Sequence, residues 1–260
     1  PEVVEAHQQA VGPHTALEIS GMYSDRPTPG DFPREVPAVR NMDDLRRQID
    51  GYDTGIRYAD AMVGQIVAHL KEAGIYDEVM IIISADHGEN QGELGIYSEH
   101  ATADRGTCQV PFIIKGPGIR TGTVSGFHYN IDMAPTLAEW LGAEAPEMWD
   151  GKSFAPALRE ETDCGHEFLV VSQCAHVCQR SVRFGPWLYM RTYHDGFHLF
   201  PKEMLFNLED DPHEQENLAG SNRSVCDQAL RHLSDWHDSM MASMPYETDP
   251  LWTVMREGGP

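Results

Sequence analysis

The sequence is poor in basic side chains, cysteines and long apolar runs, and each shortage excludes a class of protein. Its 260 residues carry 41 acidic against 19 basic side chains, a formal net charge of −22. A nucleic-acid partner is therefore not expected, since phosphate backbones require a Lys/Arg surface. No apolar run approaches the ~20 residues of a membrane span, so we expect no membrane partner. Five scattered cysteines are too few for a disulfide scaffold.

The beginning of the chain indicates a piece of a longer protein or a processed product. Pro1 stands where an initiator Met is usual, and the residues after it lack the basic and apolar segments of a signal peptide. Residues 1–40 are rich in proline, which removes amide donors and keeps the preceding residue out of helices. We expect a loop-rich segment there.

Residues 1–160 predict an α/β arrangement. From Met42 onward, apolar residues recur at three- and four-residue steps, and Gly74 is a suitable residue to end that helix. The continuous apolar run at 79–83 predicts a buried strand covered on both faces, as in a parallel sheet. A second strand is expected at 110–114, and Asp132 is expected to cap a helix with Pro135 in its first turn.

Residues 161–260 change in character and predict a small antiparallel sheet with a C-terminal helix. Four short strand patterns, at 168–173, 180–184, 187–191 and 204–207, are separated by turn sequences such as Gly185-Pro186. An amphipathic helix follows, with Val225, Leu233 and Trp236 on its apolar face. The run Cys174-Ala-His176-Val-Cys178 leaves two interpretations open, structural thiols or a metal or redox role.

The segment after the first predicted strand carries the candidate chemistry. Asp86 and His87 follow the strand's carboxyl end, where ligands bind in open α/β sheets. Carboxylate oxygen and imidazole nitrogen are both ligands for divalent cations, and Gly88 gives the turn freedom to bring them together. A solvated acidic loop with satisfied histidines is the alternative. His128, His194 and His198 are further candidates, as residues lining a substrate cleft or as surface residues.

Several ordered blocks resemble the sulfatase family of the alkaline phosphatase superfamily. They are Ser84-Ala-Asp-His-Gly-Glu89, the stretch from Gly95 to His100, Val110 to Gly118, Ile131 to Leu137, and the late segments 183–189 and 205–218. The resemblance covers about residues 50–220. It implies a carboxyl-terminal part of an alkaline-phosphatase-like mixed sheet with flanking helices in residues 1–160, and a small antiparallel sheet with a terminal helix in residues 161–260.

The resemblance also implies roles for individual residues. Asp86 and His87 match the strand-end pair that binds a divalent cation in the family, with calcium or manganese expected ahead of zinc. His100 stands where the family commonly has a Lys that contacts the sulfate or the scissile oxygen, and we expect it to be catalytic and substrate-binding. Independently of the resemblance, His128 and His198 are expected to bind substrate because of their loop positions. The expected substrate is an anionic small-molecule or sugar sulfate ester.

One family motif is missing, and this limits the functional prediction. The nucleophile of sulfatases is a formylglycine made within Cys/Ser-x-Pro-x-Arg, and this sequence has no such motif. We therefore expect the nucleophile in an amino-terminal half that acts as partner to this chain, and no turnover by the chain alone. Two alternatives stay open, a phosphonate monoester or phosphodiester hydrolase of the same superfamily, and a non-catalytic lobe that docks on the missing half. The compartment is not predicted.

Overall fold

A computed structural model describes residue 39 and residues 41–160, 164–174, 177–196 and 198–257. Most of the expected loop-rich segment 1–40, together with His176, lies outside the described residues. The first element is the predicted long helix, α1 (Met42–Glu72), which ends before Gly74 at a φ of 72°. The Asn41 side chain caps it by accepting from the main-chain N–H groups of Asp43 and Asp44.

The predicted apolar strand forms a two-stranded ribbon. Strand β1 (Ile81–Ser84) pairs antiparallel with β4 (Phe112–Lys115), and Ser84 lies opposite Phe112. The expectation of a buried strand in a parallel sheet is wrong for the described residues, since the β1 isoleucines are only half-buried and Ile113 of β4 is 59% exposed. A continuous apolar run is typical of a strand whose two faces are both packed against other elements. The described residues pack only partly against the faces of β1 and β4.

A short hairpin between these strands carries the polar segment back on itself. Strand β2 (Asn90–Gln91) pairs antiparallel with β3 (Tyr97–Glu99), so that Asn90 lies opposite Glu99. A 3₁₀ turn at Glu93–Gly95 connects them. Helix α2 (Arg105–Cys108) follows and is capped by the Asp104 side chain, which accepts from the main-chain N–H of Thr107.

A helical segment then packs around one buried carboxylate. It contains a 3₁₀ turn at Asn130–Asp132, helix α3 (Met133–Trp140) and helix α4 (Ala155–Arg159). The expectation that the Asp132 side chain caps α3 is wrong, because its oxygens accept instead from the main-chain N–H groups of Tyr129 and Lys152, at 2.8 and 2.7 Å. Asp132 thus joins two loops rather than ending one helix.

The predicted antiparallel meander and terminal helix are confirmed. Strands β5 (Phe168–Gln173), β6 (Cys178–Phe184), β7 (Trp187–His194) and β8 (Glu203–Asn207) lie in sequential order in one sheet. One face packs on helix α5 (Arg223–Ser243), and a final helix, α6 (Pro250–Glu257), follows. The other face of the sheet packs on Ala103, next to the polar hairpin.

In the described parts of the chain, no helix has the length and apolar character needed to cross a bilayer. All five cysteines are free thiols.

Candidate active site

Asp86 and His87 lie at the open end of the β1–β4 ribbon. The Asp86 Oδ1 atom accepts from the main-chain N–H of His87 at 3.0 Å, and Asp86 Oδ2 lies 3.7 Å from His87 Nε2. His87 Nδ1 lies 2.8 Å from the main-chain oxygen of Gly88. Because that oxygen can only accept, Nδ1 carries a proton, and Nε2 is the ring atom on the side of the carboxylate.

Gly88 is needed for a different reason from the one expected. Its φ is not positive, but a Cβ there would lie 1.9 Å from the carbonyl oxygen of Gly106. The Gly88 N–H also donates to the carbonyl of Thr107 at 2.8 Å. Close packing of two main-chain segments, rather than turn flexibility, therefore requires a residue without a side chain.

His100 is brought to the same place by the β2–β3 hairpin. The register that places Asn90 opposite Glu99 carries the next residue, His100, back toward His87. The two imidazole rings stack with centroids 3.8 Å apart and planes inclined by 19°. Sequence reasoning identified both histidines but not the hairpin that stacks them.

Two further side chains hold His100 in position. Glu89 Oε1 lies 3.9 Å from His100 Nδ1, and Gln173 of β5 donates from Nε2 to the His100 main-chain oxygen at 3.0 Å. Burial, and to a smaller extent the nearby Glu89 carboxylate, raises the pKa of the Tyr52 phenol on α1. Gln173 was not predicted from the sequence, because its position at the end of a strand gives no indication that its side chain contacts a loop 73 residues earlier in the chain.

A fully buried polar network lies beneath these residues. Asn90 donates to Asp104 Oδ2 at 2.9 Å and accepts from the Thr107 hydroxyl at 2.7 Å. The Thr102 hydroxyl donates to Asp104 Oδ1 at 2.6 Å. Such a satisfied network makes the hairpin and α2 one rigid support for the two histidines.

Asp86 is poised as an anion. The main-chain N–H of His87, its own N–H and the imidazoles of His87 and His100 lower the pKa of its carboxyl group. Its side chain is 89% exposed, so the carboxylate faces solvent.

The other two predicted substrate-binding histidines lie apart from the stacked pair. His128 lies beside the buried Asp132, with Nδ1 4.0 Å from Oδ2, and its ring packs on Phe154. His198 Nε2 lies 3.5 Å from Glu99 Oε2, one residue from His100, and its ring stacks on Phe200. His198 is thus linked to the site through a neighbour of His100, whereas His128 belongs to the Asp132 cluster.

The Asp132 cluster contains a histidine that sequence reasoning missed. His166 Nε2 lies 2.9 Å from Asp132 Oδ2, and the His166 main chain pairs with Phe127. No spacing signal connects His166 with Asp132, which stand 34 residues apart in the chain.

The donor set at Asp86 and His87 fits part of a divalent-cation site. Asp86 Oδ2 and His87 Nε2 are 3.7 Å apart. A divalent cation that forms bonds of about 2.0–2.2 Å to oxygen and nitrogen can therefore bind both atoms at once. Among the described residues, however, no group of three or more His, Cys, Asp or Glu side chains could hold a metal ion.

Comparison with known proteins identifies the family. The sequence model for the sulfatase family matches residues 8–143. The chain belongs to the sulfatase family. Choline-sulfatase of Rhizobium meliloti (strain 1021) is 33% identical to it over 193 residues, which are 72% of this chain and 36% of that enzyme. The chain therefore spans about a third of the length of this curated relative.

Solved structures agree with the fold. A 2-O GAG sulfatase superposes with a TM-score of 0.69 at 24% identity, covering 81% of this chain and 48% of that one. The phosphonate monoester hydrolase of Silicibacter pomeroyi superposes with a TM-score of 0.59 at 26% identity, covering 72% and 39%. The expected mixed α/β fold with antiparallel sheets and helices is thereby confirmed.

Proposed function

We propose that this chain supplies part of the active site of a metal-dependent sulfate ester hydrolase. Asp86 and His87 are the proposed ligands of one divalent cation, calcium or manganese ahead of zinc, and His100 is the proposed contact to the sulfate or the leaving oxygen. The observation that supports this most strongly is the convergence of the three side chains, with the two rings stacked at 3.8 Å and Nε2 turned to Asp86.

The chemistry divides between the cation and the side chains of this chain. A divalent cation supplies neutralisation of the sulfate oxygens as a Lewis acid. Asp86 would offer the cation a carboxylate oxygen, and donation from His87 Nδ1 to the Gly88 carbonyl would leave Nε2 as the ligand atom of that ring. His100 offers a ring N–H to a sulfate oxygen or to the leaving alkoxide. Glu89 and Gln173 orient His100, and the ring of His87 limits its rotation.

A further polypeptide segment is proposed to complete the site. Among the residues that the structure describes, the β1–β4 ribbon has two strands and exposes Ile113, and α1 exposes Ile66 to 61%. These exposed apolar side chains support the proposal, because exposed apolar patches commonly mark interaction surfaces and a two-stranded sheet is marginally stable by itself. The proposed cover is the amino-terminal half of the sulfatase domain, which would bring the formylglycine nucleophile and the remaining metal ligands.

The test is made on the full-length polypeptide. We expect hydrolysis of an aryl sulfate, a loss of about 10²–10⁴-fold in kcat for His100→Ala with metal content retained, and loss of both metal and activity for Asp86→Asn and His87→Ala. His69→Ala is the matched control, since His69 lies exposed on α1, where its Nδ1 is 3.3 Å from the exposed Glu72 Oε2. Retained metal and activity in Asp86→Asn and His87→Ala would contradict the proposal.

A second candidate is hydrolysis of a phosphonate monoester or phosphodiester. It is favoured by the likeness to the phosphonate monoester hydrolase of Silicibacter pomeroyi, which extends over 72% of this chain. Paired assays of the same preparation on an aryl sulfate and an aryl phosphonate decide between them. A larger kcat/KM for the sulfate supports the first proposal, and a larger value for the phosphonate supports the second. No turnover of either would favour a non-catalytic docking lobe.

A further inference from the structure

Two thiols face each other at the tip of the β5–β6 hairpin. The register pairs Gln173 with Gln179, which places Cys174 opposite Cys178 one step nearer the tip. Their Sγ atoms are 3.3 Å apart. Opposed residues of antiparallel strands have Cα atoms about 4.5–5.5 Å apart, which lies within the span of a disulfide. Side-chain rotation alone can therefore bring the two sulfurs to bonding distance.

The two thiols differ in access. Cys178 is fully buried, and burial together with its hydrogen bond to the Cys174 thiol raises the pKa of the Cys178 thiol to about 12. Cys174 is only half-buried. An outside reagent therefore meets Cys174 first, and Cys178 is the thiol that reacts from within.

The residues next to both cysteines contact the segment that carries His100. Gln173 accepts from the Cys174 main-chain N–H at 3.0 Å and donates to the His100 carbonyl at 3.0 Å. Gln179 accepts from the main-chain N–H of Ala103 at 3.1 Å. The hairpin tip is thus hydrogen-bonded to both ends of residues 100–103.

We propose that Cys174 and Cys178 are a reversible redox pair whose disulfide fixes the hairpin tip against the His100 segment. The oxidant is a low-molecular-weight disulfide such as oxidised glutathione. The Cys174 thiolate attacks one sulfur, forms a mixed disulfide and releases one thiolate. Cys178 then loses its proton and attacks the Cys174 sulfur, releasing the second thiolate. The two protein sulfurs lose two electrons, and the small disulfide gains them as two thiols.

The chemistry is tested by mass spectrometry on the full-length polypeptide equilibrated in glutathione buffers of increasing oxidation. We expect one intramolecular disulfide, mapped to the peptides that hold residues 174 and 178, reversed by dithiothreitol and absent in Cys174→Ser. Cys226→Ala is the control, because Cys226 is fully buried on α5 and bonds to Ala219. A stable glutathione adduct on Cys174 without ring closure, no oxidation, or zinc retained by two thiols that resist oxidation would each overturn the proposal.

The coupling to His100 is tested separately. Hydrogen exchange of the amides in residues 100–103 is expected to slow on oxidation in the wild type and to stay unchanged in Cys174→Ser; unchanged exchange in both would overturn the coupling. The effect on activity rests on the proposed function, and we expect at least a two-fold change in kcat/KM for an aryl sulfate between the two redox states. The disulfide mapping and the hydrogen-exchange measurement do not require turnover. Both can therefore be interpreted even if the proposed sulfatase function is wrong.

Discussion

Replacement of Asp132 tests how the helical segment is held together. The Asp132 carboxylate is fully buried and accepts from two main-chain N–H groups, those of Tyr129 and Lys152, and lies 2.9 Å from His166 Nε2. Asp132→Ala removes all three contacts at once. Asp132→Asn keeps one acceptor oxygen but replaces the other with an amide NH₂ group, which then faces a main-chain N–H that also donates.

The magnitude follows from the groups left without partners. A buried donor that loses its acceptor costs about 1–3 kcal/mol. Asp132→Ala leaves two main-chain donors and an imidazole, so we expect the free energy of unfolding to fall by about 3–5 kcal/mol. Asp132→Asn leaves one main-chain donor, and about 1–3 kcal/mol is expected.

Urea unfolding at constant pH, with the m-value compared between variants, measures the change. Asp77→Asn is the control, since the Asp77 side chain is 95% exposed and pairs with Lys115 at the surface, and we expect less than about 0.5 kcal/mol there. A loss below about 1 kcal/mol for Asp132→Ala would refute the reasoning that this carboxylate joins the two loops.

Three further variants test other contacts. Asp249→Ala leaves Arg180 buried without its two-contact partner at 2.5 and 2.9 Å, and we expect a loss of about 3–5 kcal/mol in urea unfolding. Burial and Asp104 raise the pKa of Glu214 well above 4.5. The folded state therefore keeps a proton that the unfolded state loses, and stability falls above pH 4.5 by up to about 1.4 kcal/mol per pH unit; Glu214→Gln is expected to remove this decline. Gly88→Ala forces a methyl group against a main-chain oxygen, and we expect about 1–3 kcal/mol of destabilisation.

Each of these has an outcome that contradicts it. Unchanged unfolding of Asp249→Ala would mean that solvent reaches Arg180. Parallel pH profiles for the wild type and Glu214→Gln would show that the Glu214 carboxyl group titrates normally. Wild-type stability in Gly88→Ala would show that the two main-chain segments separate at little cost.

The elements of the fold that depend on local periodicity could be predicted from the sequence. The long helix from Met42 follows from apolar residues at three- and four-residue steps, and the four late strands follow from short strand-forming runs separated by turn sequences. The antiparallel pairing of β1 with β4 could not be predicted, because a short apolar run does not specify its partners. The partial exposure of the β1–β4 ribbon was not predicted either. An apolar run indicates that a strand is stabilised by burial, but it does not show whether the described residues bury it.

The candidate site was predicted as a set of residues but not as an arrangement. Asp86, His87 and His100 were identified from their position after a strand and from the family resemblance. Their convergence depends on the register of the β2–β3 hairpin, whose strands have only two and three residues. Gln173 and His166 were missed because their contacts join segments distant in sequence. Gly92 and Gly95, both with positive φ, were the one local signal of the tight hairpin.

The central claim is that Asp86 and His87 bind one divalent cation together. Manganese bound to the full-length polypeptide can be examined by pulsed electron paramagnetic resonance, which detects a directly bound imidazole through its nitrogen nucleus. We predict one imidazole signal in the wild type and in His100→Ala, and its loss in His87→Ala. A manganese spectrum without imidazole nitrogen in the wild type, or one unchanged by His87→Ala, would contradict the account.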